Sequence, residues 1–89
     1  MIKDELHLEI VTPDKIVYDR PVSLIQVPGV SGTFTLLKGH APIISALGKG
    51  QIRVIGKNGV EDIFICEGGV LECQDNEVTI LTGKTEKQS

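Results

Sequence analysis

Between Pro28 and Gly50, in PGVSGTFTLLKGHAPIISALGKG, turn formers and strand formers alternate so closely that no helix can run through the segment. Five of the ten glycines, two of the four prolines and one of the two histidines lie here, around apolar clusters at Phe34–Leu37 and Ile43–Leu47. Glycine supplies the positive φ that tight turns need, and Pro42 keeps the residue before it extended. Short strands joined by turns are stable only when a larger sheet holds their ends. The flanking chain is therefore expected to be β scaffold.

Its periodicity agrees. Leu6, Leu8 and Ile10 alternate with polar or outward positions, the period of a strand with one face on a core. Thr12-Pro13-Asp14-Lys15 reads as a turn. Ile16, Tyr18, Val22 and Leu24 then fall on even positions but Ile25 and Val27 on odd ones, which predicts a bulge near Leu24–Ile25 or burial on both faces. Asn58-Gly59 is the favoured pair for a two-residue type I′ hairpin turn. Centred there, the register sets Ile52 opposite Ile65 and Val54 opposite Ile63, with all four buried on one face. A second hairpin turning at Asp75-Asn76 sets Cys73 opposite Val78 and Leu71 opposite Ile80. Gly68-Gly69, between the hairpins, predicts a kink where a strand crosses from one sheet to another.

These readings make residues 1–83 one all-β domain, a two-sheet sandwich, and residues 84–89 a polar tail expected to be disordered. Aromatic residues are only 3% of the chain, so the core must be built from isoleucine, valine and leucine. Nine basic residues against twelve acidic ones, scattered along the chain, argue against a nucleic-acid partner. The first ten residues, MIKDELHLEI, have neither the apolar run of a signal peptide nor that of a membrane span, so a cytosolic chain without direct membrane insertion is expected. Cys66 and Cys73 form no CxxC pair and are expected to be small buried hydrophobes.

Catalytic and metal chemistry find no foothold in the pattern. His40 has no cysteine, serine or second histidine at triad or ligand spacing, and His7 is distant in sequence. No GxxxxGK[ST] loop is present, so neither ATP nor another cofactor is expected to bind. The acidic residues Glu67, Glu72, Asp75 and Glu77 read as a solvated edge that discourages aggregation. No catalytic, cofactor or metal residue is assigned.

Taken together, LHLEIVTPDKIVYD, the run from PGVSGTF through GHAPIISALGKGQIRV, and CEGGVLEC ahead of NEVTIL resemble the epsilon subunit of the F-type ATP synthase. The likeness runs from Leu6 to Leu81. It implies the family's N-terminal β-sandwich, about ten short strands in two sheets with no long helix. It also implies a non-catalytic central-stalk subunit that links the gamma subunit to the membrane ring of c subunits and couples ion flow to ATP synthesis, peripheral on the cytoplasmic face of the bacterial inner membrane. Partner contacts would fall in the loops Pro28–Gly32 and Lys38–Pro42, at Gly29, Gly32, Thr33, Gly39 and His40, with Thr12 in a neighbouring turn. Thr33 and Thr35 stand where the family often has an acidic residue and a second glycine around Phe34. Most members continue into a C-terminal helical hairpin that inhibits hydrolysis and in some species binds ATP; a chain complete at Ser89 would have neither property. The runner-up from another class is a free-standing β-sandwich that serves as a ligand-binding or adaptor domain.

Overall fold

Seven strands form in the computed structural model, which describes residues 4–88; the opening of the N-terminal segment and Ser89 lie outside the described residues. They are β1 (His7–Val11), β2 (Ile16–Gly29), β3 (Gly32–Leu36), β4 (Ile43–Gly56), β5 (Glu61–Gln74), β6 (Glu77–Leu81) and β7 (Thr85–Gln88). No helix occurs among the described residues. The ladder runs β1-β6-β5-β4-β2-β3, with β7 added on β5, and a further β1–β2 pairing closes it into a barrel-like sandwich. β1 and β6 are parallel; every other pair is antiparallel.

Three strands of 14 residues each serve both layers, and the change of layer is written in their burial. In β2 the buried positions pass from Tyr18 and Val22 to Ile25 and Val27, across a bulge between Val22 and Leu24. In β4 they pass from Leu47 to Ile52 and Val54, and in β5 from Phe64 and Cys66 to Leu71 and Cys73. Each switch from even to odd or back turns the strand's other face inward. The β5 switch falls at Gly68-Gly69, where the neighbour changes from β7 to β6. The crossover expected from the double glycine is therefore present, and the parity break in β2 is a bulge. Seven strands rather than ten are counted because each long one runs unbroken through both layers.

The core is aliphatic, built on Leu6, Leu8, Ile10, Ile25, Leu36, Ile52, Leu71 and Ile80, with one aromatic contact in which Tyr18 meets Phe64 edge to face at 5.6 Å. Cys66 and Cys73 are buried free thiols, and burial pushes the Cys73 thiol up from its ordinary value.

The first hairpin corrects the sequence expectation. The Gly56 N–H donates to the Val60 carbonyl and the Gly59 N–H to the Gly56 carbonyl, both at 2.9 Å, so the loop holds Lys57, Asn58 and Gly59. Only Gly59 has a left-handed backbone, φ 83°, which is the three-residue form in place of the type I′ pair. One added loop residue moves the register by one, so Ile52 faces Phe64 and Val54 faces Asp62. Phe64 and Cys66 point into the core, Ile63 is half-buried and Ile65 is exposed. The turn with positive φ at both central residues is at Asp75 and Asn76, φ 52° and 65°, where Cys73 pairs with Val78 and Leu71 with Ile80 as expected.

The polar tail also differs from expectation. Thr85–Gln88 form β7 against Ile63–Cys66, because β5 otherwise leaves that edge unpaired and backbone hydrogen bonding needs no apolar side chain.

Candidate partner interface

Backbone pairing sets two of the sequence-derived turns, Gly29–Thr33 and Thr12, at the ends of one outward row. Gly29 and Gly32 pair with each other across the Val30-Ser31 turn between β2 and β3, and Thr33 is exposed opposite Pro28. Next to that turn, the Val30 N–H donates to the Ala46 carbonyl at 3.1 Å. Ala46 pairs with Val70, Val70 with Leu81, and Leu81 with Val11, which precedes Thr12. Thr12 closes its own turn by donating through its N–H and its hydroxyl to the Lys15 carbonyl, at 3.0 and 3.2 Å.

The row that joins the two turns is apolar and turned to solvent. Val30 is 67% exposed, Val70 43% and Leu81 54%, while their neighbours Leu47, Leu71 and Ile80 are in the core. Ile44, two residues before Ala46 on the same face, is 72% exposed. Strand neighbours lie roughly 4.8 Å apart, so the five positions Val30, Ala46, Val70, Leu81 and Val11 span about 20 Å. At the Thr12 end a shallow groove of about 380 Å³ opens between Val11, Pro13, Gly69 and Leu81. Isolated surface hydrophobes need no explanation, but a continuous row does.

Gly39 and His40 sit in the turn between β3 and β4, beside the Asp75-Asn76 turn. Asn76 is buried, its Oδ1 accepts from the Gly39 N–H at 2.7 Å, and its carbonyl accepts from the His7 N–H at 2.8 Å. Gly39 needs its left-handed φ of 88° to present that N–H. The His40 N–H donates to Leu37 at 3.0 Å, and His40 Nδ1 lies 2.7 Å from the Ala41 carbonyl. A carbonyl can only accept, so Nδ1 carries the proton and Nε2 is left to a partner. Asn76 is the positioning residue that sequence reading treated only as a turn former, and its signal was faint: an asparagine in a turn beside a strand. The sequence analysis did not single out the apolar row, since Val70 adjoins Leu71 and Leu81 adjoins Ile80 and no local signal tells which of each pair turns outward. Replacing Asn76 by alanine is expected to loosen the Lys38–Pro42 turn, read as faster amide exchange at Gly39 and His40, and to cost about 1 to 3 kcal/mol through the orphaned Gly39 N–H.

Residues 5–88 match the family model described as the beta-sandwich domain of the ATP synthase Delta/Epsilon chain. The chain belongs to this family. Among curated relatives, the ATP synthase epsilon chain of Chlorobium limicola is 40% identical over 75 residues, 84% of this chain and 85% of that one. The epsilon chain of Nitratidesulfovibrio vulgaris strain DP4 is 38% identical over 86 residues, 97% of this chain but 63% of that one. A chain of the Euglena gracilis mitochondrial ATP synthase has the same fold, with a TM-score of 0.89 at 24% identity over 98% of this chain and 56% of that one. One from the Tetrahymena thermophila mitochondrial central stalk and c-ring structure gives 0.77 at 19% identity over 97% and 69%. Membership in the ATP synthase epsilon family makes the chain a non-catalytic subunit of that complex. Among the described residues no three His, Cys, Asp or Glu side chains gather as a metal site, and no helix is long and apolar enough to cross a membrane.

Proposed function

We propose that the chain is a central-stalk subunit of an ion-translocating ATP synthase, linking the gamma subunit to the ring of c subunits on the cytoplasmic face of a bacterial inner membrane. The observation that carries this reading is the exposed apolar row between the Thr12 and Gly29–Gly32 turns. A flat β face of this kind suits a permanently covered contact, which a rotor partner provides, and one of standard size takes about 800 Å² from each side. In this reading gamma covers Val30, Ala46, Val70 and Leu81. The polar turns at its margin, with Gly29, Gly32, Thr33, Gly39 and His40, reach the c ring. Thr12 borders the gamma contact.

Val70→Glu is expected to weaken binding to a gamma and c-ring complex at least about tenfold, because a carboxylate would be buried against an apolar surface without a partner. The position is already outward, so the isolated domain should melt like the original. His40→Glu, at the margin, is expected to act more on binding to the c ring than to gamma. Affinity of each folded variant for gamma alone and for the gamma and c-ring complex decides the matter. If Val70→Glu binds gamma as tightly as the unaltered chain, the apolar row is not the seat.

A further inference from the structure

Between the first half of β2 and β7 the sandwich has an open seam. The first half of β2, Ile16–Pro21, pairs with β1 alone, and β7 pairs with β5 alone, so two unpaired strand edges flank a cleft with the Tyr18–Phe64 pair on its floor. Two adjoining cavities of about 300 Å³ each lie along it. Tyr18, Arg20, Lys57, Asn58, Asp62 and Lys87 line the first. Tyr18, Arg20, Asp62 and Lys87 also line the second, which continues onto Ile16 and Phe64.

Three features of this cleft point to an anion. Tyr18 lines both cavities, and its hydroxyl, open to the cleft while the ring is buried, has no hydrogen-bond partner among the described residues. An accessible hydroxyl at the edge of an otherwise buried ring is free to donate to a ligand held in the cleft. Next, the cations outnumber the anions in a chain whose net charge is −3. Lys87 is held by Asp62 at 3.1 Å, and Asp19 is held by His7, whereas among the described residues no carboxylate pairs with Arg20 or Lys57. Finally, the Arg20 guanidinium lies over the Tyr18 ring, 5.8 Å from its centre, which steadies it while leaving its N–H edge open for two-pronged binding of an oxyanion.

We propose that this cleft binds a small organic phosphate ester, its phosphoryl oxygens taken by Arg20, Lys57 and the Tyr18 hydroxyl and its apolar part laid against Tyr18, Phe64 and Ile16. Burial above all, and then the nearby Asp62 carboxylate, raises the Tyr18 hydroxyl above its ordinary range against the opposing pull of Arg20, so it remains a proton donor at neutral pH. A phosphate uses several donors at once where a carboxylate would use two, and the apolar floor gives an ester an advantage over the free ion. The site is on a different surface from the apolar row and does not depend on the rotor reading.

The test is titration of the isotope-labelled chain, followed by amide and side-chain NMR, with phenyl phosphate and with inorganic phosphate at constant ionic strength. Phenyl phosphate is expected to give saturable shifts confined to Tyr18, Arg20, Lys57–Val60, Asp62 and Lys87, and to bind at least about fivefold more tightly than inorganic phosphate. Tyr18→Phe keeps the ring packing and removes only the hydroxyl; it should weaken binding about threefold to tenfold. Arg20→Gln, at an exposed position, should weaken it more than about tenfold without altering the melt. Shifts that never saturate, shifts spread over other surfaces, equal binding of the two phosphates, or variants that bind like the unaltered chain would each overturn the assignment.

Discussion

Phe64→Ala is expected to cost about 3 to 5 kcal/mol of folding stability, measured by urea denaturation. Phe64 is 1% exposed, the largest fully buried side chain, in a chain that has only two phenylalanines and one tyrosine. It stands in the first half of β5, paired with Ile52 on one side and Lys87 on the other, with Tyr18 against its ring. The aliphatic residues around it are too short and too firmly held to fill the space it would leave, so much of the cavity should persist. Small domains have about 5 to 15 kcal/mol in total, and this one variant would remove a large part of that. Ile63→Ala is the paired control. Half-buried on the outer side, Ile63 should cost well under half as much. The opposite ranking would mean that the hairpin turns at two residues and that the observed register is wrong.

Gly69→Ala should be the other severe change. A methyl group there would come within 2.3 Å of the Leu81 carbonyl oxygen and 3.2 Å of Thr82 Cα, both of them backbone, and the site has φ 155°. Backbone cannot rotate aside as a side chain can, so β6 would have to part from β5 where the two meet after the crossover. A loss of about 3 kcal/mol or more is expected, seen as a lower melting temperature. It should bring a local consequence too, since Gly69 adjoins Val70 and lies against Leu81: the apolar row should be broken, visible as altered amide shifts along β6. Gly83→Ala, where added atoms meet nothing within 4 Å, should change stability by no more than about 0.5 kcal/mol. If the two glycines respond alike, the close approach at Gly69 has no energetic consequence.

The two hairpins show what local chemistry can decide. Both were recognised as hairpins, because alternating apolar residues on either side of Asn, Asp and Gly leave few other options. Only one register was right. Asn-Gly is compatible with two loop lengths, and the choice between them rests on whether Phe64 or Ile63 fits the space beneath Tyr18, a question about residues more than forty positions apart. At Asp75-Asn76 the local preference and the distant packing agreed, with Asn76 also reaching Gly39 across the fold.

The candidate interface divides in the same way. Glycine, proline and histidine between Pro28 and Pro42 mark turns by themselves, since positive φ and a fixed φ are properties of single residues. Nothing local marks Val70 or Leu81 as outward. Their exposure follows from the parity switches in β4 and β5, and those in turn from which layer each half-strand joins. The cleft behind Tyr18 is further still from sequence, because Arg20, Lys57 and Lys87 come together only when β2, the first hairpin loop and β7 are folded against one another. The sequence alone determined an all-β chain, its turns, its glycine crossover and its aliphatic core, because those rest on periodicity and backbone freedom within a few residues. Register, the closure of β1 onto β2, the pairing of a polar tail as β7 and the two surfaces available to partners were decided only by tertiary structure, since each depends on contacts between segments that no local preference can bring together.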